Sequence, residues 1–167
     1  MSRPLSTLVT CLLCAVAVCS SSAAGQRAST SSHDIDTDVW SVFVATVAAD
    51  DIVGMGKAYF PNAVLVRPLG TDPISATLER WGRDMVTAKA KGNRATVEFR
   101  FSRRQDDATT AFEAGIFKYT VIEKAGANHS RFLPFEELLA KTDGTWRVLM
   151  ERQFAEVTEA QWKTLPN

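Results

Sequence analysis

The sequence predicts an α+β fold: three helices packed on a strongly curved antiparallel sheet, in one domain. Three observations carry this expectation. From Arg94 to Val157 the chain reads as four strand-like runs in succession, apolar at alternate positions and separated by polar turns. Before them lie three segments of helical period. At 167 residues and 46% hydrophobic, the chain has the size and composition of a single domain that buries its own core.

Residues 1–24 read as a leader rather than fold. Arg3 gives a positive start, Leu8–Val18 an apolar stretch too short to span a bilayer comfortably, and Ser22-Ala23-Ala24 the small residues of a cleavage site. The chain is therefore expected to be exported, periplasmic or secreted, with no membrane association after cleavage. All three cysteines (Cys11, Cys14, Cys19) lie in this leader, so the mature chain carries neither disulfide nor thiol nucleophile. Residues 25–33 are rich in Ser and Thr and read as a disordered arm. The domain is expected over 34–160, with a tail at 161–167.

Asp34 is placed to cap a first helix to about Ala49, with Ile35, Val39, Trp40, Phe43 and Val47 on one face. Asp50-Asp51 opens a second helix, carrying Ile52, Val53, Gly56, Tyr59 and Phe60, which Pro61-Asn62 stops. Ala63–Arg67 is a short buried strand. Asp72-Pro73 starts a third helix to about Lys91, with Leu78, Trp81 and Met85 on one face, ended by Gly92-Asn93. The long runs are then Arg94–Arg104, Thr109–Glu123, Arg131–Lys141 and Trp146–Val157, the last two joined through Asp143-Gly144. A cystatin-like sheet with a single helix is the competing architecture.

This order of elements, with Trp40–Asp51 (WSVFVATVAADD), Met55–Gly70 (MGKAYFPNAVLVRPLG) and Asp143–Trp146 (DGTW), resembles the nuclear transport factor 2-like superfamily, which includes ketosteroid isomerase and SnoaL-like polyketide cyclases. The resemblance spans about Asp34 to Val157. It implies a cone with an internal cavity, often ligand-binding, and a homodimer through the outer sheet face. It also implies a carboxylate base just before Pro68-Leu69-Gly70 and a tyrosine donor in the first helix. Those places hold Arg67 and Phe43. Arginine is no base at neutral pH and phenylalanine donates no hydrogen bond, so steroid isomerisation is excluded for this chain.

Arg67, beside an apolar run, is either an anion anchor or a residue snorkelling from a strand end. Arg152 shares parity with Trp146, Val148, Met150 and Phe154, which places a charge on a buried face. It then needs either a ligand or a salt bridge to Glu137, which shares parity with Leu133, Phe135 and Leu139. Tyr119 is either a ligand donor or a core tyrosine. Trp40, Phe43, Phe60 and Trp81 are candidates for the cavity wall or for plain core. The opposite parity of the third run is nearly as apolar, which fits a covered outer face and a homodimer.

His33 and His129 have no metal-ligand spacing and no framework for a triad, and no glycine-rich phosphate loop exists, so no metal and no cofactor are expected. Arg103-Arg104 beside Asp106-Asp107 reads as a solvated hairpin tip. Zero formal net charge gives no reason to expect nucleic acid. The functional expectation is an exported small-ligand-binding or accessory protein, its apolar cavity taking a small amphipathic acid on Arg67 and Arg152. The alternative is a SnoaL-like isomerase, cyclase or dehydratase acting on a small apolar substrate.

Overall fold

The apolar stripe of the first helix is wider than an ideal helix provides, and a change of winding accommodates it. A computed structural model describes residues 30–166, so the leader and the start of the arm lie outside the described residues. Helix α1 (Thr30–Ile35) runs through a π-helical turn (Asp36–Trp40) into α2 (Ser41–Ala49). The wider turn lets the adjacent Val39 and Trp40 both be buried, in line with Ile35, Phe43 and Val47. The helix therefore starts four residues before the expected cap, and Thr30–His33 is helical rather than part of an arm.

Asp50 ends this rod in the left-handed region (φ 56°), and the Asp51 carboxylate accepts from Gly54 N at 2.8 Å to cap α3 (Ile52–Gly56). Here the sequence reading needs correction. Tyr59 and Phe60 are not helical; they open strand β1 (Tyr59–Arg67), which carries Pro61-Asn62 through an irregular stretch of pairing. Helical period and strand alternation are hard to separate over so few residues. Gly70–Pro73, expected as a break, is strand β2, antiparallel to β1. Helix α4 (Ile74–Ala90) follows, with Gly82 against Ile52 and Gly56 near Leu78, a close approach that small residues permit.

The four long runs are β3 (Arg94–Asp106), β4 (Thr110–Ile122), β5 (Asn128–Thr142) and β6 (Thr145–Gln153). The six strands form one sheet in the order β2-β1-β6-β5-β4-β3, antiparallel except where β1 lies parallel to β6. Two bulges decide which side chains face inward. One lies on β3 between Phe101 and Arg103, opposite Gly115 and Ala114; a Cβ on Gly115 would collide with the Arg100 carbonyl. The other lies on β6, where Leu138 pairs with Met150 but the next residue, Leu139, pairs with Val148.

The helices cover the concave face, and their apolar stripes meet its inward rows in one core. The outer face is partly covered too. After β6 the chain bonds back to β5, Phe154 N to Pro134 O at 3.0 Å and Val157 N to Phe132 O at 2.9 Å. Thr158 and Gln161 then form a capping box for α5 (Glu159–Lys163). Its Trp162 packs on Phe132 beneath the Arg100 guanidinium, so 161–167 begins as a docked helical turn rather than a tail.

Candidate functional site

Inward residues of β3, β4 and β5 meet α2, α3 and α4 around a cavity of about 430 Å³. Its wall is aromatic: Phe43, Tyr59, Trp81, Phe99, Phe117 and Tyr119. Val47, Met55, Met85, Val97 and Leu133 fill between the rings. Its floor is acidic, which no apolar pattern announced.

Three glutamates stand side by side on the inner face. Glu113 on β4 pairs with Glu137 on β5, and Glu137 with Glu151 on β6, so one lateral row crosses three strands. Side chains so placed have Cβ atoms about 4.5–5.5 Å apart. All three are buried, but their surroundings differ. Glu113 receives Arg104 Nε at 2.8 Å and Trp40 Nε1 at 2.5 Å. Glu151 receives the Tyr59 hydroxyl on Oε2 and Gln153 Nε2 on Oε1, both at 2.6 Å. Glu137 Oε2 has no hydrogen-bond partner among the described residues. Glu137 and Glu151 line the cavity and Glu113 lies beyond it. Among the described residues no three His, Cys, Asp or Glu side chains converge as metal ligands, so the row is not a metal cage.

The electrostatics follow from this placement. Burial pushes the Glu137 carboxyl well above the ordinary carboxylate range, and the charges of Glu151 and Glu113 push it further. Burial raises Glu151 as well, opposed by the hydrogen bonds from Tyr59 and Gln153. Burial, then Glu151 and Glu137, raise the Tyr59 phenol. Two neighbouring carboxyls without a cation do not ionise independently, because each charge disfavours the other. Glu151, whose charged form the two donors favour, is raised less than Glu137, which has no such donor.

Of the residues singled out from the sequence, Glu137, Tyr119, Phe43 and Trp81 line the cavity. Trp40 does not: it is core, packed on Phe99, Phe101 and Phe135, with its indole N–H on Glu113. Phe60 is away from it, its ring 6.0 Å from the Arg147 guanidinium. Arg67 leaves the end of β1 to pair with Asp72 on β2, beside Arg80. Arg152 stands on the outer face, 3.6 Å from Glu136 and over the Phe154 ring. The expected positive floor is thus absent, and the amphipathic-acid ligand falls with it. The physical reason is the β6 bulge, which turns Glu151 inward and Arg152 outward. Arg104 also departs from its reading. The β3 bulge sends it inward, where it bonds Glu113 and, at 2.6 Å, Asp36.

Sequence reasoning misses Tyr59, Glu151 and Gln153. Helical period claims Tyr59 for the second helix. Glu151 and Gln153 share the parity that reads as solvent-facing, and only an acid on an otherwise apolar strand hints at them.

No family model and no curated protein matches the sequence. Solved structures do match the fold. Aln2 from a Streptomyces species is 15% identical with a TM-score of 0.62, over 75% of this chain and 90% of that one. An NTF2-like protein from Shewanella oneidensis is 14% identical with a TM-score of 0.61, over 75% and 99%. A ketosteroid isomerase-like protein from Erwinia carotovora is 14% identical with a TM-score of 0.52, over 74% and 97%. The chain has the nuclear transport factor 2-like fold. It is an α+β cone with a cavity under its helices.

Proposed function

We propose that this protein binds a small, largely apolar molecule in its cavity and moves a proton on it with the Glu137–Glu151 pair, as an isomerase, cyclase or dehydratase would. The observation that carries the reading is Glu137, 3% exposed, lining the cavity with an oxygen that no described protein group satisfies. A buried carboxyl short of partners costs free energy, and a guest that hydrogen-bonds to it offsets part of that cost. Two carboxyls sharing one proton offer an acid and a base within one site.

The test uses 5-nitrobenzisoxazole, a neutral bicyclic probe that suits a carboxylate base in an apolar cavity. The base takes the C3 proton, the N–O bond breaks, and a cyanophenolate absorbs in the visible. The full chain should exceed acetate at equal concentration, and Glu137→Gln or Glu151→Gln should each lose about 10²-fold, the usual worth of one acid–base group. A rate no higher than acetate, or one unchanged in both variants, overturns the acid–base reading.

A second reading, carriage without chemistry, is favoured by one fact. Both oxygens of Glu151 are already occupied, which leaves Glu137 as the floor carboxyl with a free atom. It becomes the function if the probe is bound but not turned over.

Two attributes extend the proposal. Residues 1–24 support export, checked by the intact mass of the protein from its own host. What α5 leaves open on the outer face around Ile116, Pro134 and Leu138 supports a homodimer; light scattering at micromolar concentration should give twice the chain mass.

A further inference from the structure

The cavity floor concentrates negative charge, and no described side chain balances it. Glu137 and Glu151 face each other in register, and neither has a basic partner among the described residues. The cations close to them in sequence or space are engaged elsewhere: Arg152 lies outside with Glu136, and Arg104 is held by Glu113 and Asp36. Arg94 and Arg131 border the cavity, but both side chains reach solvent and Arg131 Nε meets Glu156 at 3.1 Å. Above the floor stand aromatic rings, whose faces attract positive charge.

We infer that the guest of this cavity is an organic cation, an apolar amine whose ammonium N–H donates to the Glu137 carboxylate while its body lies against Phe43, Trp81 and Phe117. This rests on the reading of the pair as the working centre. It goes beyond that reading by fixing the charge class of the molecule, opposite to the acid expected from the sequence. A positive nitrogen between two buried carboxyls lets both ionise, and their attraction acts in a medium far less polarisable than water. A neutral guest meets only the acid proton of Glu137, and a carboxylate meets repulsion.

The proton balance is explicit. In this proposal the pair holds one proton before the guest arrives. The ammonium arrives with its own, both carboxyls become charged, and the proton of Glu137 leaves to solvent. Binding therefore strengthens as pH rises, until the amine itself loses its proton. The groups facing the pair do not reverse this sign. Glu113 on β4 is already held by Arg104 and Trp40, and Tyr59 on β1 stays a neutral donor because its phenol is pushed well up. Across the cavity Asp50, Asp84 and Tyr119 add acid groups, with Arg94 and Arg131 toward solvent.

The experiment titrates the full chain calorimetrically with three probes of one naphthalene body: 2-naphthylmethylammonium, 2-acetylnaphthalene and 2-naphthoate. At pH 7.5 the ammonium should bind about tenfold or more tighter than the ketone, and the naphthoate weakest, the order that unbalanced floor charge dictates. Parallel titrations in phosphate and Tris, whose ionisation heats differ, should show net release of up to one proton for the ammonium alone. Glu137→Gln, confirmed folded by circular dichroism, should lose the ammonium preference and the proton release while still binding the ketone. A ketone that binds as tightly as the ammonium, a naphthoate that binds tightest, or no binding by any of the three overturns the inference. Turnover of 5-nitrobenzisoxazole is read separately, so the acid–base reading can stand where the charge class fails.

Discussion

Glu113 and Glu137 are neighbours on adjacent strands, both buried, and identical in chemistry, yet only Glu137 lines the cavity. Glu113 has a guanidinium on one oxygen and an indole on the other, and the Arg104 ion pair continues to Asp36. Glu137 has an apolar wall, a second acid and the cavity beside it. Burial is common to both, so burial is not what marks the site. The difference lies in donors. A carboxyl whose oxygens are filled by donors has its charged form supported, whereas one that burial leaves without donors is pushed toward its neutral form.

The comparison is broken most severely at Arg104. Arg104→Met strands Glu113 as a buried charge and is expected to cost about 3–5 kcal/mol in urea unfolding. Adding Glu113→Gln, which still accepts from Trp40, should recover most of it. A loss under about 1 kcal/mol would mean that Glu113 is already neutral in the folded chain.

Tyr59→Phe removes a donor from Glu151 and should cost about 1.5–2 kcal/mol, as for a hydrogen bond to a charged group. It should also move the pH profile of any chemistry at the pair upward, because the charged form loses support. An unmoved profile would detach Tyr59 from the pair.

Glu137→Leu makes the opposite prediction. The folded-state pKa of Glu137 lies above its unfolded value, so the native chain binds more protons than the unfolded one. Stability then falls as pH rises from about 4.3, the ordinary glutamate value, toward the folded pKa. The leucine variant lacks that slope. It should match the wild type at about pH 5 but gain about 1 kcal/mol at about pH 8, as when a buried unpaired polar group is replaced by an apolar one. Urea titrations at the two pH values check it, and a large loss at both would assign Glu137 a structural role.

The smallest effect is expected at Arg152, which the sequence made a central residue. Arg152→Met disturbs only a half-exposed pair with Glu136 and a contact with Phe154, worth about 1 kcal/mol or less. Probe binding in the cavity should be unchanged; loss of binding would return Arg152 to the site.

Those contrasts show how far the sequence could be read. Alternation put Phe99 and Phe101 on one row and Phe117 and Tyr119 on another, because period two is a local property of a strand, but on Arg131–Lys141 both rows are apolar and alternation leaves the inner one, with Glu137, open. Local pattern also placed the third helix and the hairpin at Asp143-Gly144. It failed where a short segment carries either period, as at Tyr59. It failed again where a strand changes face part-way.

What the sequence determined by itself is the inventory: a core-forming domain, a helical cover, four long strands and an acid at 137 on an apolar row. Which charge meets that acid depends on how the strands pair in three dimensions. The β6 bulge sets one residue of the strand out of register, so the alternation of Trp146 and Val148 resumes at Glu151 and Gln153 instead of Arg152. A bulge depends on how two strands pair across a ladder, and that pairing leaves no period in either strand alone. One residue of slip put two carboxyls, Glu137 and Glu151, side by side where the strand's first alternation would have set Arg152 against Glu137.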